Sequence, residues 1–411
     1  MPDAHAASKK HNVGGILLDR PFKIRRLGHF GFDAVAMEEN RRFYNELLGF
    51  RISDVLDFKR VARDPKQVDG LGETRGYFLR YGTDHHAFAL FPRRVRQALS
   101  HRADTNPEVT TNQITFQVGS LREVVEGHHW FVARGIEMQR HGRDPLGSNW
   151  HTYLYDPDDH VAELYYGIEQ IGWNGFSKPA FKVSRNFQQI AELPQIAELD
   201  EVREALEKGV DISSGYRGVD PLPAKYEVGG VMLPRPFKIT RIGPVRLFVK
   251  DMARAEAFYS EVMGLIPSEE VVWQGQRCVF LRCNTEHHTI ALYPIALRGV
   301  LGLSAQTNCM SFGLQLGSYK QLRDAITWLK AAGARVIELP PELRPGVDYA
   351  AYVFDPDGHA LELYYYMEQV GWDGRVRSSV ERREVTPGVW PDALEPLSDT
   401  YMGEPLLGPL G

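Results

Sequence analysis

The chain repeats itself, and that repetition limits what it can fold into more than any other feature. GGILLDRPFKIRRLGHFGF, beginning at Gly14, is answered by GGVMLPRPFKITRIGPVRLF, beginning at Gly229. RRFYNELLGF, ending at Phe50, is answered by EAFYSEVMGL, ending at Leu265. TDHHAFALFP around His85 and His86 returns as TEHHTIALYP around His287 and His288, and TTNQITFQVGSL around Gln113 as QTNCMSFGLQLGS around Cys309. YLYDPDDHVAELYYGIEQIGWNG from Tyr153 returns as YVFDPDGHALELYYYMEQVGWDG from Tyr352. Blocks kept in one order mean two copies of one structural unit. A chain of 411 residues is long enough for both copies to bury a core of their own.

Within a copy, hydrophobic period separates the elements. KIRRLGHFGFDA alternates and reads as a strand. MEENRRFYNELLGF carries apolar residues three and four apart and ends at Gly49, which suits a helix with a glycine C-cap. YFLRYG and HHAFALFP read as short strands. A second series follows: strand NQITFQVGS, helix LREVVEGHHWFVARG, and strands WHTYLYDP and HVAELYYG. Each copy is therefore expected to be α+β, two βαβββ modules whose strands form a curled, cup-like mixed sheet. Period-two alternation decides which side chains reach its concave face.

We divide the chain into an N-terminal arm (1–21), a first domain (22–173), a helical linker with the repeat lead-in (174–236), a second domain (237–373) and a Pro-rich tail (374–411). Between the FY helix and the HH strand the first copy is 13 residues longer, around FKRVARDPKQVDGLGE. That polar insert reads as a surface loop or active-site flap.

Composition narrows the function. A formal charge of −5 argues against nucleic acid as a partner. The opening MPDAHAASKKHN has no apolar signal core, and no apolar run reaches the ~18 residues of a membrane span. Cys278, Cys283 and Cys309 show no zinc-like pairing. The expected location is the cytoplasm.

The DPDxHxxELYY blocks and the FYxxxLGF helix resemble the vicinal oxygen chelate superfamily, and within it the two-domain type I extradiol ring-cleaving dioxygenases. The resemblance covers about residues 22–173 and 237–373. It implies a divalent metal, Fe(II) or Mn(II), held in a facial triad with open positions, and a small aromatic substrate that reacts with O2. The ligand positions fall on His29, Gln113 and Glu163, with Gln113 standing where the family carries histidine. His151 is a further candidate ligand. Glu163 lies in an apolar strand, where an unpaired carboxylate is costly and a metal or cationic partner relieves the cost. The resemblance also implies a proton-handling role for His86, on the face opposite to His85, and a substrate hydrogen bond for Tyr153. Arg143 and Asp144 fall near another family active-site position. His160 and His359, in the DPDxH turns, read as structural.

The second copy is an internal control. Its equivalents are read as Pro244, Cys309 and Glu362, so it has lost its first ligand and reads as a degenerate, packing copy. The expected activity is metal-dependent extradiol cleavage of a catechol-like or polyhydroxylated aromatic. Its rivals are a metal-dependent lyase, isomerase or hydrolase without O2 chemistry, and a non-catalytic small-molecule-binding protein. Glyoxalase chemistry is less favoured, because its extra carboxylate is replaced by Ala89. Sheet edges of such folds leave homo-oligomers open.

Overall fold

Each copy builds one open, eight-stranded mixed sheet. The computed structural model describes residues 10–99, 106–371 and 373–394. In the first copy the spatial order is Arg51–Asp57, Arg75–Arg80, Phe88–Pro92, Arg26–Ala34, Thr111–Gln117, Val161–Tyr166, Trp150–Tyr155, Met138–Arg143. The second repeats that order from Ile266–Trp273 at one edge to Val336–Ile337 at the other. In both modules the first strand runs parallel to the last: Phe30 pairs with Phe88, and Ile114 with Ala162. An antiparallel pairing of Arg26–Ala34 with Thr111–Gln117 joins the modules. The fold is α+β and tandem, as the pattern predicts.

Local chemistry sets the helices. The first continues from Met37–Arg42 through a wider turn at Phe43–Leu47 and stops at Gly49, whose φ of 87° is open to glycine. Leu121–Ala133 starts at Ser120, whose side chain accepts from the Glu123 backbone N–H.

Alternation sends two sets of side chains to opposite faces of Arg26–Ala34. Phe30 and Phe32 go to the interdomain core, where Phe30 stacks on Phe312 at 4.3 Å and Phe32 on the His359 ring at 3.8 Å. Pairs of this kind contribute about 0.5–1.5 kcal/mol beyond area burial. The docking is reciprocal. Tyr44 donates to Asp355 at 2.9 Å, and Tyr259 to Asp156 at 2.8 Å. The same carboxylates hold the rings of His359 and His160 at 2.8 and 2.9 Å. Both DPDxH turns are interface fittings, which gives His160 and His359 their structural role.

The linker departs from the expectation of a helix. Helix forms over Ala180–Val183 and Glu198–Glu207 only, and a hairpin joins Tyr226–Val228 to Val231–Leu233. Pro194 removes a backbone donor within the apparent helical run, and Gly209 ends the longer helix. Residues 184–188 instead run along the edge strand of the first sheet, where Phe187 and Arg143 exchange backbone hydrogen bonds of 3.1 and 2.9 Å. The tail reaches back over the second domain, with Trp390 against Tyr319. Residues 395–411 lie outside the described residues, as do 1–9 of the arm.

Candidate functional site

Phe30 and Phe32 occupy the core, so their neighbours face the other way. A register shift between Leu27 and Phe30 marks a bulge, a device that re-aims side chains. It seats His29 with its backbone N–H donating to Thr115 Oγ1 at 2.6 Å and its carbonyl accepting from the same hydroxyl at 2.6 Å. Glu163 pairs with Tyr153 on one side and Thr115 on the other. His29 Nε2 and Glu163 Oε2 then lie 3.1 Å apart, both residues fully buried. Asn149 donates to Glu163 Oε1 at 2.9 Å, and His29 Nδ1 has no partner.

A cavity of 470 Å³ opens above this pair. His29, His86, Gln113, Asn149 and Tyr153 form its polar end, and Phe58, Phe78, Phe91 and Leu146 its apolar walls. Glu163 sits behind the wall and touches it through His29 and Asn149. Tyr153 donates to Gln113 Oε1 at 3.4 Å. Burial, and then the Glu163 carboxylate, push the Tyr153 phenol well above its usual range, so it remains a donor. Burial, with the neighbouring His29 and His85, pushes His86 well below the usual imidazole range and keeps it neutral. Arg140 lies 4.4 Å over the Tyr153 ring and is paired in bidentate fashion with Asp144 at 3.0 and 2.7 Å. Burial opposes the Arg140 charge, but Asp144, Tyr153 and Glu163 outweigh it.

The structure thus gathers His29, Gln113, Glu163, His86 and Tyr153 around one cavity, and Asp144 joins them. Arg143 does not. Its guanidinium turns away to a fully buried ion pair with Glu201 of the linker at 2.6 Å. His151 lies on the Tyr153 face of its strand, both ring nitrogens unpartnered, with burial and then Arg140 lowering it to about 4. His85 corrects the alternation argument. It precedes the strand Phe88–Pro92 in a turn, and its Nδ1 meets His86 Nδ1 at 3.0 Å.

Some cavity residues escaped the pattern reading. Asn149 lies just before the strand Trp150–Tyr155, where alternation gives no direction. Phe181, Asn186 and Gln188 come from the linker and carry no signal in the repeat. Phe58 and Val61 come from the insert, which does border the cavity.

The second copy also corrects the alignment. Ala162 pairs with Ile114 and Leu361 with Phe312, so the counterpart of Gln113 is Ser311, not Cys309. The counterpart of His29 remains Pro244, yet Glu362 is not left alone. Arg246, register counterpart of Gly31, bonds directly to Glu362 and donates to His288 Nε2 at 3.0 Å. Tyr352 donates to the other Glu362 oxygen at 2.7 Å.

Among the described residues, no three His, Cys, Asp or Glu side chains form a metal-binding group, and no helix is long and apolar enough to cross a membrane. The donors at the first site still suit a divalent cation in kind: an imidazole, a carboxylate and an amide oxygen. Two adjacent ligands about 2.1 Å from one ion lie about 3 Å apart, and His29 and Glu163 stand 3.1 Å apart.

Comparison with known proteins places the fold. The chain is 28% identical over 158 residues to 2,2',3-trihydroxybiphenyl dioxygenase of Sphingomonas paucimobilis, a match covering 38% of this chain and 50% of that protein. The chain thus spans half the length of that curated relative. The crystal structure of the 2,3-dioxygenase LapB from Pseudomonas sp. KL28 superposes with a TM-score of 0.53 at 17% identity, over 85% of this chain and 95% of that one. The Mn(II)-bound glyoxalase from Novosphingobium aromaticivorans gives 0.53 at 15% identity, over 93% and 98%. These two likenesses show the fold. The family model of the Glyoxalase/Bleomycin resistance protein/Dioxygenase superfamily matches residues 26–164 and 241–363, one match on each sheet. The chain belongs to that superfamily.

Proposed function

We propose that the first domain is a metal-dependent, extradiol-type dioxygenase site that cleaves a catechol-like or polyhydroxylated aromatic ring. The observation that carries this reading is the convergence of the His29 imidazole and the Glu163 carboxylate, 3.1 Å apart, at the polar end of an aromatic-walled cavity. His29, Glu163 and the Gln113 amide oxygen would hold Fe(II) or Mn(II). Such an ion, when bound, supplies Lewis acidity that lowers the pKa of a coordinated substrate hydroxyl.

The residues of the chain do the rest. Neutral His86 takes a proton from the substrate, as a positioned imidazole near neutral pH is suited to do. Protonated Tyr153 donates to a substrate oxygen, and Asn149 holds the carboxylate in orientation. Phe58, Phe78 and Phe91 enclose the ring and exclude water. The name of the Sphingomonas paucimobilis relative makes a hydroxylated biaryl the first substrate to try.

Gln113 favours a second reading. A neutral amide in place of a stronger donor, and the fold shared with a Mn(II)-bound glyoxalase, suit Lewis-acid lyase or isomerase chemistry without oxygen. An oxygen electrode separates the two. With Fe(II) and a 2,3-dihydroxybiaryl, the dioxygenase reading expects one O2 consumed per ring cleaved and a yellow product. Turnover without oxygen uptake would move the assignment to the second reading.

A further inference from the structure

His86 and His85 meet through like atoms, Nδ1 to Nδ1 at 3.0 Å. Two neutral imidazoles can share such a contact only if one nitrogen carries the proton and the other accepts it. The far end of the chain of bonds decides which. His85 Nε2 lies 3.0 Å from Asp54 Oδ2, and a carboxylate only accepts. With a single ring proton, His85 carries it on Nε2 and accepts at Nδ1. His86 must then be protonated on Nδ1, which leaves its Nε2 lone pair free.

The second domain contains the same device with its other end fixed. His287 Nδ1 meets His288 Nδ1 at 3.0 Å, and His287 Nε2 meets Glu269 Oε2 at 2.9 Å. There Arg246, which can only donate, closes on His288 Nε2 at 3.0 Å. The proton order set by Arg246 at one end and Glu269 at the other is the same order. Arg382 Nη2 also comes within 3.2 Å of His287 Nε2, because both donors converge on Glu269 Oε2. The ladders confirm the equivalence: Asp54 pairs with Phe78, and Glu269 with Phe280.

A glycine in left-handed conformation covers each histidine pair. Gly147 has φ 77°, and a Cβ there would lie 3.1 Å from His86 Nδ1 and 3.3 Å from His85 Nδ1. Gly346, also at φ 77°, would crowd the His287 ring at 2.5 Å. The Gly147 loop packs on the Nδ1 contact and the Gly346 loop on the His287 ring, and a left-handed φ at both positions favours glycine.

We infer that Asp54 and His85 are positioning residues that lock His86 in its Nδ1–H tautomer, turning Nε2 into the proton acceptor of the cavity. The inference deepens the proposed reaction by naming what makes His86 a base rather than a donor. In the second domain the same relay is spent on Arg246, so its histidine has no free acceptor.

The test is 15N–1H correlation through two and three bonds on uniformly labelled full-length protein, kept metal-free with chelator. Wild type should show His86 protonated at Nδ1 and bare at Nε2. Asp54→Asn, which can donate in place of accepting, should move the His86 proton to Nε2 and lower kcat about a hundredfold or more with little change in KM. Asp54→Glu should restore both. Glu269→Gln should leave His288 protonated at Nδ1, because Arg246 still donates to Nε2. A wild-type His86 protonated on Nε2 overturns the inference, as does an Asp54→Asn protein that folds and keeps both tautomer and kcat. If the tautomers follow this pattern but no aromatic consumes O2, the relay stands and the proposed reaction falls.

Discussion

The two domains present the same buried carboxylate to the same surroundings and answer it differently. Glu163 and Glu362 are both fully buried, each ten residues after a tyrosine and each close to a relayed histidine pair. In the second domain the Arg246 guanidinium fills the space between Glu362, Tyr352 and His288. Leu343, Tyr293, Phe280 and Met310 pack the remainder into a closed apolar cluster. In the first domain no side chain can enter from the matching position: a Cβ on Gly31 would lie 2.6 Å from the Ala89 backbone oxygen. Glu163 keeps a neutral amide, a histidine and an open cavity. A buried carboxylate is costly without a paired charge. One copy supplies the cation from its own chain; in the proposed site of the other, the same position is left for a metal ion.

Mutations that remove one side of this contrast test it. The largest effect is expected from His29→Ala, which removes the imidazole facing Glu163. Ring cleavage should fall to the detection limit in an oxygen electrode while the protein still folds, as its circular dichroism would show. Unchanged turnover would remove His29 from the site.

Arg246→Ala should instead act on stability. It leaves a buried carboxylate uncompensated, at a cost of about 3–5 kcal/mol. Arg246→Met with Glu362→Gln should recover most of that loss in urea unfolding. If the single and double variants unfold alike, Arg246 is not the counter-charge.

A smaller loss, about 1 kcal/mol, is expected when Tyr259→Phe removes the hydroxyl that holds Asp156 across the interface. Tyr44→Phe, its reciprocal, should cost about the same. Unequal losses would show that the domains do not dock symmetrically.

The smallest effect separates the domains by pH. Burial, with His141 and His129, lowers His128 to about 4. The unfolded chain protonates a histidine near ~6.5, so His128 contributes stability that is present above that value and is lost as pH falls toward 4. The second domain has Ile326 at this helix position. His128→Gln should flatten the acid limb of the stability curve between those values. An unaltered limb would place the acid sensitivity elsewhere.

Much of this was legible in the sequence because period and repeat report packing directly. The helix ending at Gly49, the strand with His29, and Glu163 on its own strand all follow from spacing. Arg246 was not legible. Alignment directs attention to Pro244, whereas Arg246, two residues on and on the same strand face, is the one that reaches Glu362. Cys309 was chosen over Ser311 for a related reason, since register is set by ladder pairing that a gapped alignment does not contain. His85 was sent to the wrong face because alternation was applied to a turn. The linker's contribution, Phe181 with Asn186 and Gln188 at the cavity, depends on tertiary docking through Arg143 and Glu201, two charges far apart in sequence.

The most direct measurement is anaerobic Fe(II) binding to the full-length protein, by equilibrium dialysis with metal analysis, for wild type beside His29→Ala. One ion per chain in wild type and none in His29→Ala is the predicted result. Two ions per chain, or equal loading of both proteins, would contradict the assignment of a single metal position to the first domain.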